Sequence, residues 1–195
     1  MDTRAKEYAG LLCNLYIAGL LLVVPVYMKE GYWQLGDAKF VVFRNISLIC
    51  MFLSLVTVIW GTISAHMAGN GSLKKPFKRW NLTDSFVAAY GVVNLLSYLL
   101  SDYKETALWG YEQWYMGLCT QLLFVWIYFF ASRFYNGESK GIWCGILVFG
   151  FVTVLGNLNR FTLDPFHLYR GWELGDWNHT YLLSTIGNIN WLCGY

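Results

Sequence analysis

Residues 45–65 read NISLICMFLSLVTVIWGTISA, with no charged side chain between Asn45 and Ala65. At a helical rise of about 1.5 Å per residue, a run of this length covers the ~30 Å hydrocarbon core of a bilayer. No water is present there to satisfy backbone N–H and C=O groups, so such a segment must bond to itself as a helix. Segments 9–28, 82–100, 115–132 and 141–159 have the same character. The predicted fold is therefore all-α, a polytopic transmembrane helical bundle of about five spanning helices plus the start of a sixth.

Composition points the same way. Hydrophobic residues make up 56% of the chain and charged residues 13%, where a soluble domain carries about 25% charged. The aromatic share of 19% suits side chains that anchor at the two membrane interfaces. A net charge of +2 gives no basic surface for nucleic acid; the expected partner is the lipid bilayer. Cys13, Cys50, Cys119, Cys144 and Cys193 form no CxxC pair and read as small buried hydrophobes rather than a disulfide frame. No metal site and no cofactor are expected. Arg4 and Lys6 precede the first apolar run as in a signal peptide, but that run is long and no A-x-A-like cleavage site follows, so it reads as a retained helix.

Basic residues set the expected orientation. The loop 66–81 holds Lys74, Lys75, Lys78 and Arg79 and no acid, which places it in the cytoplasm. Counting spans outward puts the N-terminus and the short loop with Arg133 and Lys140 on the same side. Loops 29–44, 101–114 and 160–187 then face outward, and the chain 1–195 reads as one transmembrane domain. Asp84 falls in the first turn of the third span, where a carboxylate favours the positive end of the helix dipole. Asn14, Asn94, Gln121 and Asn157 are expected to hydrogen-bond to neighbouring helices. Gly141 and Gly145 have GxxxG spacing and read as a packing face. No charged group lies at mid-span, which argues against a proton pump or ion-coupled transporter.

Chemistry is expected in the polar aromatic stretch from Arg160 to Trp191. Arg160 and Arg170 suit phosphate through charge-assisted contacts. Trp172, Trp177 and Trp191 offer faces for sugar rings beside Asp164, Glu173 and Asp176. The same residues admit a plainer reading: Arg160 ends a span and reaches lipid headgroups, and the tryptophans anchor the interface. His167 and His179 lack metal-ligand spacing, Asp164-Pro165 reads as a turn, and no G-x-S-x-G, HExxH or Walker motif is present. Asn178–Thr180 is formally a glycosylation sequon. Asn188 and Asn190 flank Ile189 directly after Gly187. One amide suffices to cap a following helix; the other is left for substrate or a neighbouring helix.

The stretch STIGNINWLCGY, residues 184–195, resembles the G-N-P-N-x-L-A-x-Y signature of the O-antigen ligase and polymerase superfamily. Those are polytopic membrane glycosyltransferases of the GT-C type. Gly187, Asn188 and Asn190 match, with Ile189 in place of the usual proline, and Leu192, Gly194 and Tyr195 match approximately. Upstream, Gly110 and Gly117 fall where the family's outer loop carries glycines. The resemblance implies transfer of a glycan from a polyprenyl-diphosphate carrier to an acceptor outside the cytoplasmic membrane, with no metal and no nucleotide sugar. It offers Arg160, Arg170, Gly187, Asn188, Asn190 and Trp191 as substrate-binding candidates. Family members carry their main catalytic residues in a large loop downstream of this motif. The chain is therefore expected to be the N-terminal part of a larger membrane domain, inactive alone, and no catalytic residue is assigned. The alternatives are a small membrane scaffold that binds a partner, or a transporter fragment.

Overall fold

The computed structural model describes residues 3–29, 31–32, 34–68, 80–112, 114–137, 140–169 and 181–188. Their elements are α1 (Thr3–Val26), α2 (Leu35–Met67), α3 (Leu82–Leu100), α4 (Lys104–Trp109), α5 (Leu118–Phe134) and α6 (Lys140–Arg160), then the two-residue strands β1 (Leu182–Leu183) and β2 (Gly187–Asn188). The fold is all-α apart from this short antiparallel ladder. Helices α1, α2, α3 and α6 are long and apolar enough to cross a membrane; α5 is apolar but has 17 residues. This is a membrane protein by the character of its helices. Along α2 the side chains of Ile49, Phe52, Ile59 and Ile63 are exposed, and α3 buries only Asp84 and Gly91. Apolar surface on that scale is stable against lipid and not against water.

Three helix starts differ by three residues or more from the sequence reading, the first being that of α1, which begins at Thr3 rather than Ala9. Helix α2 starts at Leu35 rather than Asn45, so most of the expected 29–44 loop is helical. Asp37 in its first turn favours the positive helix end, and Lys39 turns away to bond elsewhere. Helix α5 starts at Leu118 rather than Tyr115, because Tyr115 has φ +47° and Gly117 is extended. The expected sixth helix would begin beyond Asn188, outside the described residues; Gly187 and Asn188 themselves lie in β2.

The chain forms two compact units. The first comprises Met1–Tyr16 and Arg44–Glu138. In it, Ala5, Ala9, Cys13 and Tyr16 make one buried stripe along α1 at helical spacing. Tyr16 bonds to Ser47 of α2 at 2.8 Å and packs edge-on against Trp126 of α5. The second comprises Ile17–Phe43 and Ser139–Tyr195. There the GxxxG reading holds: a Cβ on Gly141 would lie 3.1 Å from Ala18, and one on Gly145 would lie 3.0 Å from Leu21. The absent side chains let α6 approach α1 closely.

Of the polar span residues, two bridge as expected. Asn14 donates to Asn136 beyond α5, and Gln121 of α5 accepts from the Tyr90 hydroxyl of α3. Asn94 and Asn157 instead donate to Tyr90 and Thr153 one turn back on their own helices. Cys13 and Cys50 are buried, but Cys144 is exposed on α6, which corrects the reading of every cysteine as buried.

Asp84 does more than cap. Asn81 and Asp84 form a reciprocal capping box at the start of α3. The Asp84 carboxylate also accepts from Arg133 Nη2 at 2.8 Å and from the Tyr128 hydroxyl at 3.0 Å, both on α5. Asp84 and Arg133 are 0% and 6% exposed, so the pair locks the start of α3 to the end of α5. Removing one partner leaves the other charge buried without its counter-ion. Asp84→Ala and Arg133→Ala should each lower the thermal midpoint in mild detergent, by on the order of 5 °C or more. The double variant Asp84→Asn/Arg133→Gln should lose clearly less than the sum of the two alanine variants. Additive losses would show that the two side chains act independently.

Candidate functional site

The described part of the predicted site lies in the second unit, around the end of α6. A helix turns about 100° per residue, so Asn159 and Arg160 face different surroundings. Asn159 falls on the buried stripe of Val152, Leu155 and Gly156 and is fully buried, whereas Arg160 is exposed. Asn159 uses both ends of its amide. Its Nδ2 donates to the Leu163 carbonyl at 3.0 Å, and its Oδ1 accepts from the Ser184 N–H at 2.9 Å. The turn that follows α6 is closed by Asp164, whose carboxylate accepts from the N–H groups of Leu168 and Tyr169. That supports the reading of Asp164-Pro165 as a turn.

Strands β1 and β2 pair with Leu182 opposite Asn188 and Leu183 opposite Gly187. The connection needs left-handed backbone: Ser184 has φ +58° and Gly187 has φ +93°. At Gly187 glycine is required twice over, because a Cβ would also lie 2.8 Å from Leu35 Cδ2. Four hydrogen bonds from outside the hairpin fix it. Besides Asn159, the Tyr32 hydroxyl donates to the Ser184 carbonyl at 2.8 Å, and the Tyr169 hydroxyl donates to the Leu182 carbonyl at 2.5 Å. Thr185 Oγ1 donates to the Pro25 carbonyl of α1 at 2.8 Å. The same Pro25 carbonyl, and that of Val24, accept from Lys39 Nζ at 2.7 Å each. The Tyr32 and Tyr169 rings lie 5.1 Å apart. Burial first, and for Tyr32 also its hydrogen bond with Tyr169, pushes both hydroxyls above the ordinary tyrosine range.

Of the predicted site residues, the structure places Arg160 at the exposed end of α6, Gly187 buried in the hairpin turn and the Asn188 backbone in β2. Arg170, Asn190 and Trp191 lie outside the described residues, as does the 178–180 sequon. Gly187 and Asn188 are tied through Ser184 to Asn159, the neighbour of Arg160. The sequence reading missed Asn159, Lys39, Tyr32, Tyr169 and Thr185. Asn159 was recoverable, as a lone amide on an otherwise apolar helical stripe; the others bond to backbone carbonyls, which carry no sequence signal. Among the described residues no three His, Cys, Asp or Glu side chains converge as metal ligands. Apart from Lys39 and the Asp164 carboxylate on the Tyr169 N–H, the described hairpin network is made of neutral donors and acceptors that bond to main chain.

Gly187→Ala should cost about 1–2 kcal/mol from the left-handed backbone alone, and more from the contact with Leu35. Leu35→Ala in that background relieves the contact but not the strain, so stability returns only in part. Full rescue would mean that the backbone at position 187 is not constrained. Asn159→Leu should cost about 1–3 kcal/mol by leaving the Ser184 N–H buried without an acceptor. Groups with raised folded pKa values add stability that is whole below about pH 10, the free tyrosine value, and is lost as pH rises from there toward the folded value. The thermal midpoint should therefore fall above about pH 10, and Tyr32→Phe should flatten that fall; an unchanged slope would contradict the assignment.

The chain matches no family model, no curated protein and no solved structure.

Proposed function

We propose that this chain engages a polyprenyl-diphosphate-linked glycan at the extracytoplasmic face of a bacterial cytoplasmic membrane, as a part of an O-antigen ligase/polymerase-like glycosyltransferase. The observation that supports this reading is the Gly187 turn. It holds Gly187 and the Asn188 backbone, the described half of the G-N-x-N pattern, in a clamped hairpin tied through Asn159 to the helix end that carries Arg160. A diphosphate on a lipid carrier lies at headgroup depth, and a guanidinium at a span end reaches the same depth.

In the proposed reaction an acceptor hydroxyl oxygen bonds to the anomeric carbon of the glycan. The bond from that carbon to the diphosphate oxygen breaks, and the carrier diphosphate leaves with the electron pair. The hydroxyl proton passes to a general base. Arg160 and Arg170 would offset charge on the diphosphate, and Asn188 and Asn190 would offer amide groups to the sugar and phosphate oxygens. The N-terminus is then cytoplasmic, with the basic 66–81 loop beside it.

The test is binding of an undecaprenyl-diphosphate-linked oligosaccharide to the purified chain in detergent. Arg160→Ala should weaken it about tenfold, the range of one charge-assisted contact. Asn188→Ala should weaken it too, while Arg4→Ala at the opposite end of α1 should not. Unchanged binding in both site variants would remove the assignment.

A further inference from the structure

A half-open cleft of about 360 Å³ lies in the first unit, on the surface shared by α2, α4 and α5. Arg44, Leu48 and Met51 line it from α2, and their spacing places all three on one face of that helix. Cys119 and Leu122 line it from α5, and Trp109 closes it from the end of α4. Arg44 immediately precedes the uncharged run 45–65, so its guanidinium sits where hydrocarbon gives way to headgroups. Met51 lies about 10 Å deeper along the helix. The cleft is thus charged at headgroup depth and apolar below it. A volume near the lower end of ligand pockets suits one hydrocarbon chain. Leu48, Trp109 and Leu122 are each about two-fifths exposed, so the cleft opens sideways, toward lipid.

We propose that this cleft binds an anionic phospholipid of the surrounding leaflet, its phosphate against Arg44 and one acyl chain along Leu48, Met51 and Leu122. Charge complementarity selects the occupant. A guanidinium near low-dielectric apolar walls favours an anion more strongly than one in water, and the commonest anion at this depth is a lipid phosphate. Trp109 supplies the amphipathic ring that commonly sits beside a headgroup. The site is separate from the hairpin and does not depend on the glycosyltransferase reading.

Native mass spectrometry of the whole chain tests it with three probes: phosphatidylglycerol, diacylglycerol with the same chains, and glycerol phosphate. Phosphatidylglycerol should be retained at least tenfold better than either of the others, since head and chain are both needed. Arg44→Gln should lose about tenfold in phosphatidylglycerol retention, and Leu122→Trp, which fills the apolar half, should lose at least as much. Helicity and a single elution peak check that both variants fold. Cys119 gives an independent readout in the unmodified protein. Phosphatidylglycerol should slow its alkylation by N-ethylmaleimide several-fold, read by peptide mapping, while exposed Cys144 on α6 reacts as before. Equal retention of diacylglycerol, wild-type retention by Arg44→Gln, or a Cys119 rate indifferent to the lipid would each overturn the proposal. Stronger retention of undecaprenyl phosphate than of phosphatidylglycerol would also overturn it and assign the cleft to a carrier lipid.

Discussion

The last turn of a helix leaves carbonyls without partners, and in a membrane protein they cannot be left to water. This constraint organises much of what is seen here. Neither α1 nor α3 has a basic residue in its own last turn. Each receives a lysine from the element that follows. Lys39 donates to Val24 and Pro25 at the end of α1, and Lys104 donates to Tyr98 and Leu99 at the end of α3. A lysine placed so answers the negative end of the helix dipole and satisfies two carbonyls at once. It also fixes where the next element starts. Lys39 lies near the start of α2 and Lys104 is the first residue of α4.

The opposite end of α3 is closed with a carboxylate. Asp84 completes the capping box with Asn81 and then takes its counter-charge from Arg133. The guanidinium lies over the Phe129 ring at 5.7 Å, and Phe129 stacks on Trp80. The two ends of α3 are therefore held by complementary charges, a carboxylate at the start and, at the finish, an ammonium that lies over the Tyr98 ring. Because α3 buries almost nothing else, polar end contacts carry a larger share of its attachment than packing does. Gly91 against Val125 and Tyr90 with Gln121 add its mid-helix register to α5.

How much of this was legible in the sequence divides along physical lines. The spans were legible because hydrocarbon allows only one solution for the backbone, and uncharged runs announce it. Asp84 was read correctly as a capping acid. Its partner was missed, although an acid opening one span and an arginine closing its antiparallel neighbour must meet at one membrane face. The GxxxG of α6 meant what its spacing suggested. Asn94 and Asn157 did not, because an amide in a helix can return to the carbonyl four residues back, and sequence does not distinguish that bond from one between helices. At the candidate site, Gly187 has φ +93°, a backbone demand that glycine meets and that the sequence alone does not show. Tyr32 and Tyr169 were invisible, since each holds a carbonyl whose position depends on the folded hairpin.

The Pro25 carbonyl joins the helix end to the hairpin, since Lys39 and Thr185 both donate to it. Pro25 lies in the last turn of α1, where carbonyls have no partner within the helix, and these outside donors satisfy its carbonyl. The cap of α1 and the seat of the hairpin are consequently one network, and partly satisfied buried networks are unfavourable. Swinging the hairpin away would expose the Asn159 amide, the Pro25 carbonyl and two tyrosine hydroxyls together. Such a segment does not behave as a lid. It is a fixed surface on which Gly187 and Asn188 hold their backbone direction.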